Sequence, residues 1–223
     1  MGEKRSYGQY CTVARALDVV GERWTLLLVR ELSTGPKRFK DLLEGLPGIG
    51  TNLLAARLKT LEGKGIVRRA TLPPPAGSNV YELTELGGSL EPVIMALSRW
   101  GARLLDAPRE EEDLRAGWAA VAMQSAIGRG TADRRPGTYE FRIDGEAFHV
   151  RIRDSEEGER VEVRQGPAPD PDLVVIGAAE TFLAVVSGRR SPEEAVQSEA
   201  LRAEEDREAL LAWCQSLIGP TAT

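Results

Sequence analysis

Apolar positions recur at helical spacing through roughly the first half of the chain, then give way to strict alternation from Tyr139 onward. Val13, Ala16, Leu17 and Val20 share one side of residues 10–20, which predicts a first helix closed by Gly21. Trp24-Thr25-Leu26-Leu27-Leu28-Val29 is almost wholly apolar, so a second helix over 22–33 belongs at the centre of a core. Ser33-Thr34-Gly35-Pro36 ends it, residues 39–46 repeat the helical pattern, and Pro47-Gly48-Ile49-Gly50 breaks it sharply. The chain is organised around the next stretch, residues 51–62. Leu54, Leu58 and Leu61, with Leu53 beside them, form an apolar stripe; Thr51, Asn52, Ala55, Ala56 and Lys59 take the other face. Gly63-Lys64-Gly65 stops this helix, and residues 66–72 and 80–83 follow as strands around the stiff polar loop 73–79. Helix, tight turn, helix and hairpin make the layout of a winged helix-turn-helix.

Thr84 is placed to cap a long helix reaching Leu105, with Leu86, Leu90, Val93, Ile94, Leu97, Trp100, Leu104 and Leu105 on a wide apolar face. Two coverings fit that face: a second copy of the chain, as a reader of two half-sites requires, or the C-terminal part of the same chain. Residues 106–113 are polar, contain Pro108 and run Glu110-Glu111-Glu112-Asp113, as a linker does. The expected domains are therefore 1–106, a linker over 107–113, and 114–223. The second domain opens with a helix over 114–127. Tyr139, Phe141 and Ile143, then Phe148, Val150 and Ile152, then Val161 and Val163, alternate with charged residues, and Asp144-Gly145 marks a hairpin. This pattern predicts an antiparallel sheet with one solvated side. Residues 173–176 read as a more buried strand, 179–186 as a short helix, Ser191-Pro192-Glu193-Glu194 as a capping box, and 207–217 as an amphipathic closing helix. The fold class is α+β.

Charge sharpens the division. The net charge of −5 splits into 15 Lys and Arg against 10 Asp and Glu over residues 1–105, and 14 against 24 over 106–223. The basic half holds the helix-turn-helix, whereas an acidic surface repels phosphate. No apolar run approaches the roughly 20 residues of a membrane span, and no signal core follows the N-terminus. Cys11 and Cys214 are too few and too far apart for a disulfide framework, so a reducing cytoplasm is expected.

Cys11-Thr12-Val13-Ala14-Arg15-Ala16-Leu17-Asp18-Val19-Val20-Gly21, Arg23-Trp24-Thr25-Leu26-Leu27, the 51–62 stretch, Tyr81-Glu82-Leu83-Thr84-Glu85-Leu86-Gly87 and Trp100-Gly101 together resemble the HxlR-type, MarR-like bacterial transcription regulators. The resemblance covers roughly residues 8–105. It departs at Gly50, where the family often has Ser before the recognition helix; Thr51 could take the capping role. It implies a homodimer built by the first and last helices of the domain. It also makes Cys11, at the start of the first helix with Arg15 one turn on, a redox candidate; an inert residue packed at a dimer interface is the other reading.

On double-stranded operator DNA, Thr51, Asn52 and Ala56 are expected at base edges, with Lys37, Arg38 and Lys59 at phosphates. Arg57 either reaches phosphate or braces the helix from within. Ser78 and Asn79, near the wing tip, are expected at an adjacent minor groove.

Asp172-Leu173-Val174-Val175, Thr181-Phe182-Leu183, Val186-Ser187-Gly188, Ser191-Pro192-Glu193-Glu194-Ala195 and Asp206-Arg207-Glu208-Ala209-Leu210 resemble sterol carrier protein type 2-like domains over roughly residues 114–218. Gly is usual in that family where Glu199 and Glu205 stand. The resemblance implies an apolar cavity between sheet and helices. Trp118, Met123, Phe141, Phe148, Phe182 and Trp213 would then contact a hydrophobic small molecule, against the alternative of a filled core.

His149 is the sole histidine and shares a face with Arg151 and Arg153, which removes a His-based triad or a multi-His metal site. No glycine-rich phosphate loop or zinc-ligand spacing appears. No catalytic constellation, metal site or cofactor is expected. The sequence points to a cytoplasmic, homodimeric DNA-binding regulator with an appended hydrophobic-ligand domain. The alternative is a lipid or polyketide carrier whose winged helix makes protein contacts.

Overall fold

A computed structural model of the chain describes residues 6–73, 77–106, 108–109, 112–127, 136–155, 158–204 and 207–218. Pro74, Pro75 and Ala76 of the wing loop, Ala107, Glu110 and Glu111 of the expected linker, the 128–130 stop, Glu205 and the side chain of Cys214 lie outside the described residues. The chain divides into two compact units between Ile94 and Met95.

The first unit holds α1 (Thr12–Val20), α2 (Thr25–Ser33), α3 (Phe39–Gly45), α4 (Thr51–Gly63), β1 (Val67–Thr71), β2 (Asn79–Leu83) and α5 (Glu85–Gly88), and ends within α6 (Glu91–Gly101). Leu28, Val29, Leu42, Leu54, Leu58, Leu61, Val67 and Val80, from α2, α3, α4 and the two strands, are buried together with Leu46 of the turn after α3. Gly48 makes the turn between α3 and α4 at φ 87, a conformation that glycine adopts freely. β1 and β2 pair antiparallel from Val67↔Leu83 to Thr71↔Asn79, and Lys37 adds a single bridge to Tyr81.

Thr84 caps as expected, its hydroxyl accepting from the Gly87 N–H at 3.0 Å. The long helix through Leu105 does not form. It breaks into α5, α6 and a turn of 3-10 helix over Ala102–Leu104. Gly87 and Gly88 have low helix propensity, and Pro92 brings no N–H to the first turn of α6. Gly87 also needs its missing side chain, because a β-carbon there would collide with the Ile66 carbonyl oxygen.

The second unit contains α7 (Ala116–Ile127), β3 (Gly137–Ile143), β4 (Glu146–Ser155), β5 (Gly158–Gln165), β6 (Leu173–Gly177), α8 (Ala179–Val186), α9 (Pro192–Gln197), β7 (Leu201–Ala203) and α10 (Arg207–Ile218). Its sheet runs β5-β4-β3-β6-β7. The expectation of an antiparallel sheet is corrected: β3 and β6 are parallel neighbours, so the sheet is mixed. The cause is the segment between β5 and β6. It leaves beside Ala147, where Gly166 donates to the Ala147 carbonyl, and arrives beside Thr138, where Asp172 donates to the Thr138 carbonyl. The chain thus crosses the sheet and starts β6 in the direction of β3. On the way Ala168 donates its N–H to Glu140 at 2.8 Å. Glu140, expected on a solvated face, is consequently 2% exposed.

Candidate nucleic-acid interface

α4 turns its faces as expected except at Leu53, which is exposed rather than part of the buried stripe. Leu54, Leu58 and Leu61 are buried, while Thr51, Asn52, Ala55, Ala56, Lys59 and Thr60 are exposed. Gly50 is the N-cap and no side chain caps the helix, so Thr51 does not take the capping role. The first amides of α4 are left open, which suits an anion.

Cations around this face separate into three kinds. Lys59 and Arg38 are exposed, the Arg38 main-chain N–H donating to Asp41 at 3.0 Å. Arg57 braces rather than reaches out: its guanidinium lies 2.7 Å from Glu22, at the corner between α1 and α2. Lys37 is corrected outright, because it is 7% exposed and its Nζ lies 2.6 Å from Glu31 Oε2. A lysine committed to a buried carboxylate has no reach left for phosphate.

Glu31, 4% exposed, also lies 2.8 Å from Arg30. Burial alone would raise its carboxyl, but Lys37 and Arg30 together hold it below the usual carboxylate range. At the wing, Asn79 is exposed with Oδ1 3.3 Å from the Thr71 hydroxyl, and Ser78 is half-buried.

Two cations escape the sequence reading. Arg68 and Arg69 on β1 are exposed, paired to Glu82 at 2.7 Å and Glu62 at 2.9 Å, with Arg69 also 5.5 Å from the Tyr81 ring centroid. The run Val67-Arg68-Arg69-Ala70 signals a strand, but its charge partners come from β2 and α4. Trp24, at φ 77, is a further surprise: Arg23 lies 5.1 Å over its ring, whose edge approaches the Gly48 turn.

A family profile described as HxlR-like helix-turn-helix matches residues 19–109. The regulator YodB of Bacillus subtilis is 41% identical over 85 residues, 38% of this chain and 76% of YodB. An HTH-type transcriptional regulator of Synechocystis, sll1512, is 34% identical over 99 residues, 44% of this chain and 73% of the relative.

The chain belongs to the HxlR-like helix-turn-helix regulators.

A crystal structure of quinone-bound YodB, 36% identical, covers 41% of this chain and 96% of that one at a TM-score of 0.36. In this HxlR-like chain Cys11 is exposed at the N-cap of α1. Asp18, on the same helix, accepts from the Tyr7 N–H and the Ser6 hydroxyl, which lower its carboxyl below the ordinary range. Tyr10, Val13, Leu17, Leu86, Val93, Leu97, Trp100 and Leu104 are all exposed.

Five of the six ligand-lining residues expected in the second unit belong to one core cluster. Met123, Phe141, Phe148, Phe182 and Trp213 are buried, and Trp118 is half-buried. Ring centroids lie 4.8 Å apart for Phe141–Phe148, 5.4 Å for Phe141–Phe182 and 5.0 Å for Phe141–Trp213. These are contact distances within an aromatic cluster. Among the described residues no group of three His, Cys, Asp or Glu side chains could hold a metal, and no helix is long and apolar enough to cross a membrane.

Proposed function

We propose that this regulator binds its operator as a homodimer, with α4 in the major groove and the wing at the adjacent minor groove. The observation that carries the reading is the outward face of α4: short neutral side chains at Thr51, Asn52 and Ala56, then Lys59, all exposed over a buried leucine stripe. The exposed apolar side chains of α1 and α6 supply the surface a second copy would cover. Arg38 and Lys59 contact phosphate, and Ser78 and Asn79 approach the minor groove.

Gel shifts on the DNA upstream of its own gene test this reading. Lys59→Ala should weaken all sequences alike and flatten the salt slope by about 1. An unchanged slope would place Lys59 off the DNA, and absence of any shift would favour the carrier alternative. Cys11 stands as the candidate thiol sensor, checked by whether Cys11→Ser abolishes a response of operator affinity to mild peroxide.

The domain division at 107–113 and the sterol-carrier-like reading of the second unit belong to the same proposal, supported by a five-stranded sheet that shares one core with α7, α8, α9 and α10. A hydrophobic effector there has to part the Phe141 cluster to enter. Titration with fatty acyl or aromatic polyketide compounds, following Trp118 and Trp213 fluorescence together with operator binding, tests it; no change in either signal means a domain that serves assembly.

A further inference from the structure

Charged side chains are kept out of protein cores unless they are paired, and the first unit keeps two inside. Glu31 and Lys37 are 4% and 7% exposed and 2.6 Å apart. The pair sits where three elements meet. Glu31 comes from the last turn of α2. Gly45, at the end of α3, comes so close that a β-carbon there would stand 2.6 Å from Glu31 Oε2. Lys37 brings the wing: its N–H donates to the Tyr81 carbonyl at 3.0 Å, and the Tyr81 N–H donates to the Lys37 carbonyl at 2.8 Å. One end of Lys37 is therefore fixed by a buried carboxylate and the other by strand β2.

The far side of the wing is tied as well. Arg69 on β1 stacks over Tyr81 and pairs with Glu62 near the end of α4. That pair is exposed and screened, so it contributes little. The buried pair dominates, since its partners lie in low dielectric with fixed geometry.

We propose that Glu31, acting through Lys37, is the positioning residue of the wing: the buried pair and the Lys37–Tyr81 bridge set where the β1–β2 loop meets DNA relative to α4. The inference rests on the reading of α4 and the wing as the DNA-contacting elements. Hydrophobic residues of similar size would fill the same space, and replacing a whole buried pair is often neutral for stability. What they would not supply is one register for the wing.

The test uses the full chain and a duplex from upstream of its own gene, with Glu31→Gln, Lys37→Met and the double variant. Glu31→Gln keeps the shape and a hydrogen bond, so it is the milder of the two single variants. Each single variant should lose stability, and the double variant should recover much of it. All three should lose minor-groove protection beside the wing in hydroxyl-radical footprints while keeping guanine N7 protection under α4. Affinity should fall roughly three- to thirtyfold, with the salt slope unchanged. A double variant that protects the wing site like wild type would overturn the proposal, because stability would then be all the pair provides. A slope flattened by about 1 in Lys37→Met would also overturn it, by putting Lys37 on a phosphate. Loss of protection under α4 in the wild-type protein would instead strike the underlying reading of the interface.

Discussion

Glu31 in the first unit and Phe141 in the second are both buried, yet their surroundings are opposites. Glu31 lies among cations, with Lys37 and Arg30 at 2.6 and 2.8 Å, while Tyr10, Val13, Leu17 and Leu86 of the same unit face outward. Phe141 lies among Phe148, Phe182 and Trp213, while Arg142, Arg153 and Arg164 of its unit lie at the surface. The second unit gathers its rings in one internal cluster, and its own exposed apolar side chains, Leu97, Trp100 and Leu104, lie in the helical stretch at its start. The first has a polar lock inside and apolar side chains outside, the kind of surface on which a protein partner can dock. On the proposed reading, the lock would supply the register of the wing and the outward surface would supply the second half-site.

The largest effect is expected in the aromatic core of the second unit. Phe141→Ala removes a ring that touches three others, so denaturant unfolding should show a loss of about 3–5 kcal/mol. Binding of short operator duplexes should be retained if α4 and the wing suffice for it. A cost well under 1 kcal/mol would mean the cluster already surrounds a space that can collapse, and would revive the ligand cavity.

Breaking the polar lock comes next. Glu31→Gln leaves the Lys37 charge buried without its carboxylate, at a cost of about 3 kcal/mol near neutral pH. The folded carboxyl is held below its ordinary value of 4.5. Its contribution is therefore fully present above that value and is lost as pH falls toward the lower folded pKa. The gap in stability between wild type and variant should narrow only below about pH 4.5. A gap that is constant down to strongly acid pH would show that the charge on Glu31 is immaterial.

The outward apolar surface gives a smaller change in the unit's own stability and a large one in assembly. Val13→Asp should alter unfolding by no more than about 0.5 kcal/mol, because Val13 is 64% exposed. Sedimentation should show a dimer for wild type and a monomer for the variant, with operator affinity reduced at least tenfold. A dimeric Val13→Asp protein would place the interface elsewhere.

These contrasts also show what a sequence makes legible. Leu54, Leu58 and Leu61 identify α4 because helical periodicity is local, and the Ser191 box identifies α9 for the same reason. Lys37 looks like any turn lysine, because its carboxylate partner and its strand partner Tyr81 meet it only in the fold. Arg57 leaves two readings open until Glu22, 35 residues earlier, is placed beside it. The parallel pairing of β3 with β6 depends on a crossover segment with no periodicity to betray its path. Alternation predicts the charged side of β3 correctly but not the crossing chain that buries Glu140.

Backbone strain separates the two units on the finest scale. Trp24 and Glu199 both have left-handed backbones, at φ 77 and φ 58. Such a conformation costs a side-chain-bearing residue about 1–2 kcal/mol relative to the right-handed one. At Trp24 the ring meets Arg23 and the Gly48 turn, so glycine there would relieve the backbone but lose those contacts. Glu199 is exposed, immediately after the C-cap Ser198 of α9, the position where helices commonly end in a left-handed glycine. Its N–H donates to the Val196 carbonyl at 3.2 Å, a main-chain bond that any residue retains. Glu199→Gly should therefore stabilise the second unit by about 0.5–1 kcal/mol, the relief of strain less the added entropy of glycine in the unfolded chain. Equilibrium unfolding of the variant measures it. A loss of stability would mean that the Glu199 side chain makes a packing contact of its own, as the Trp24 ring does with the Gly48 turn.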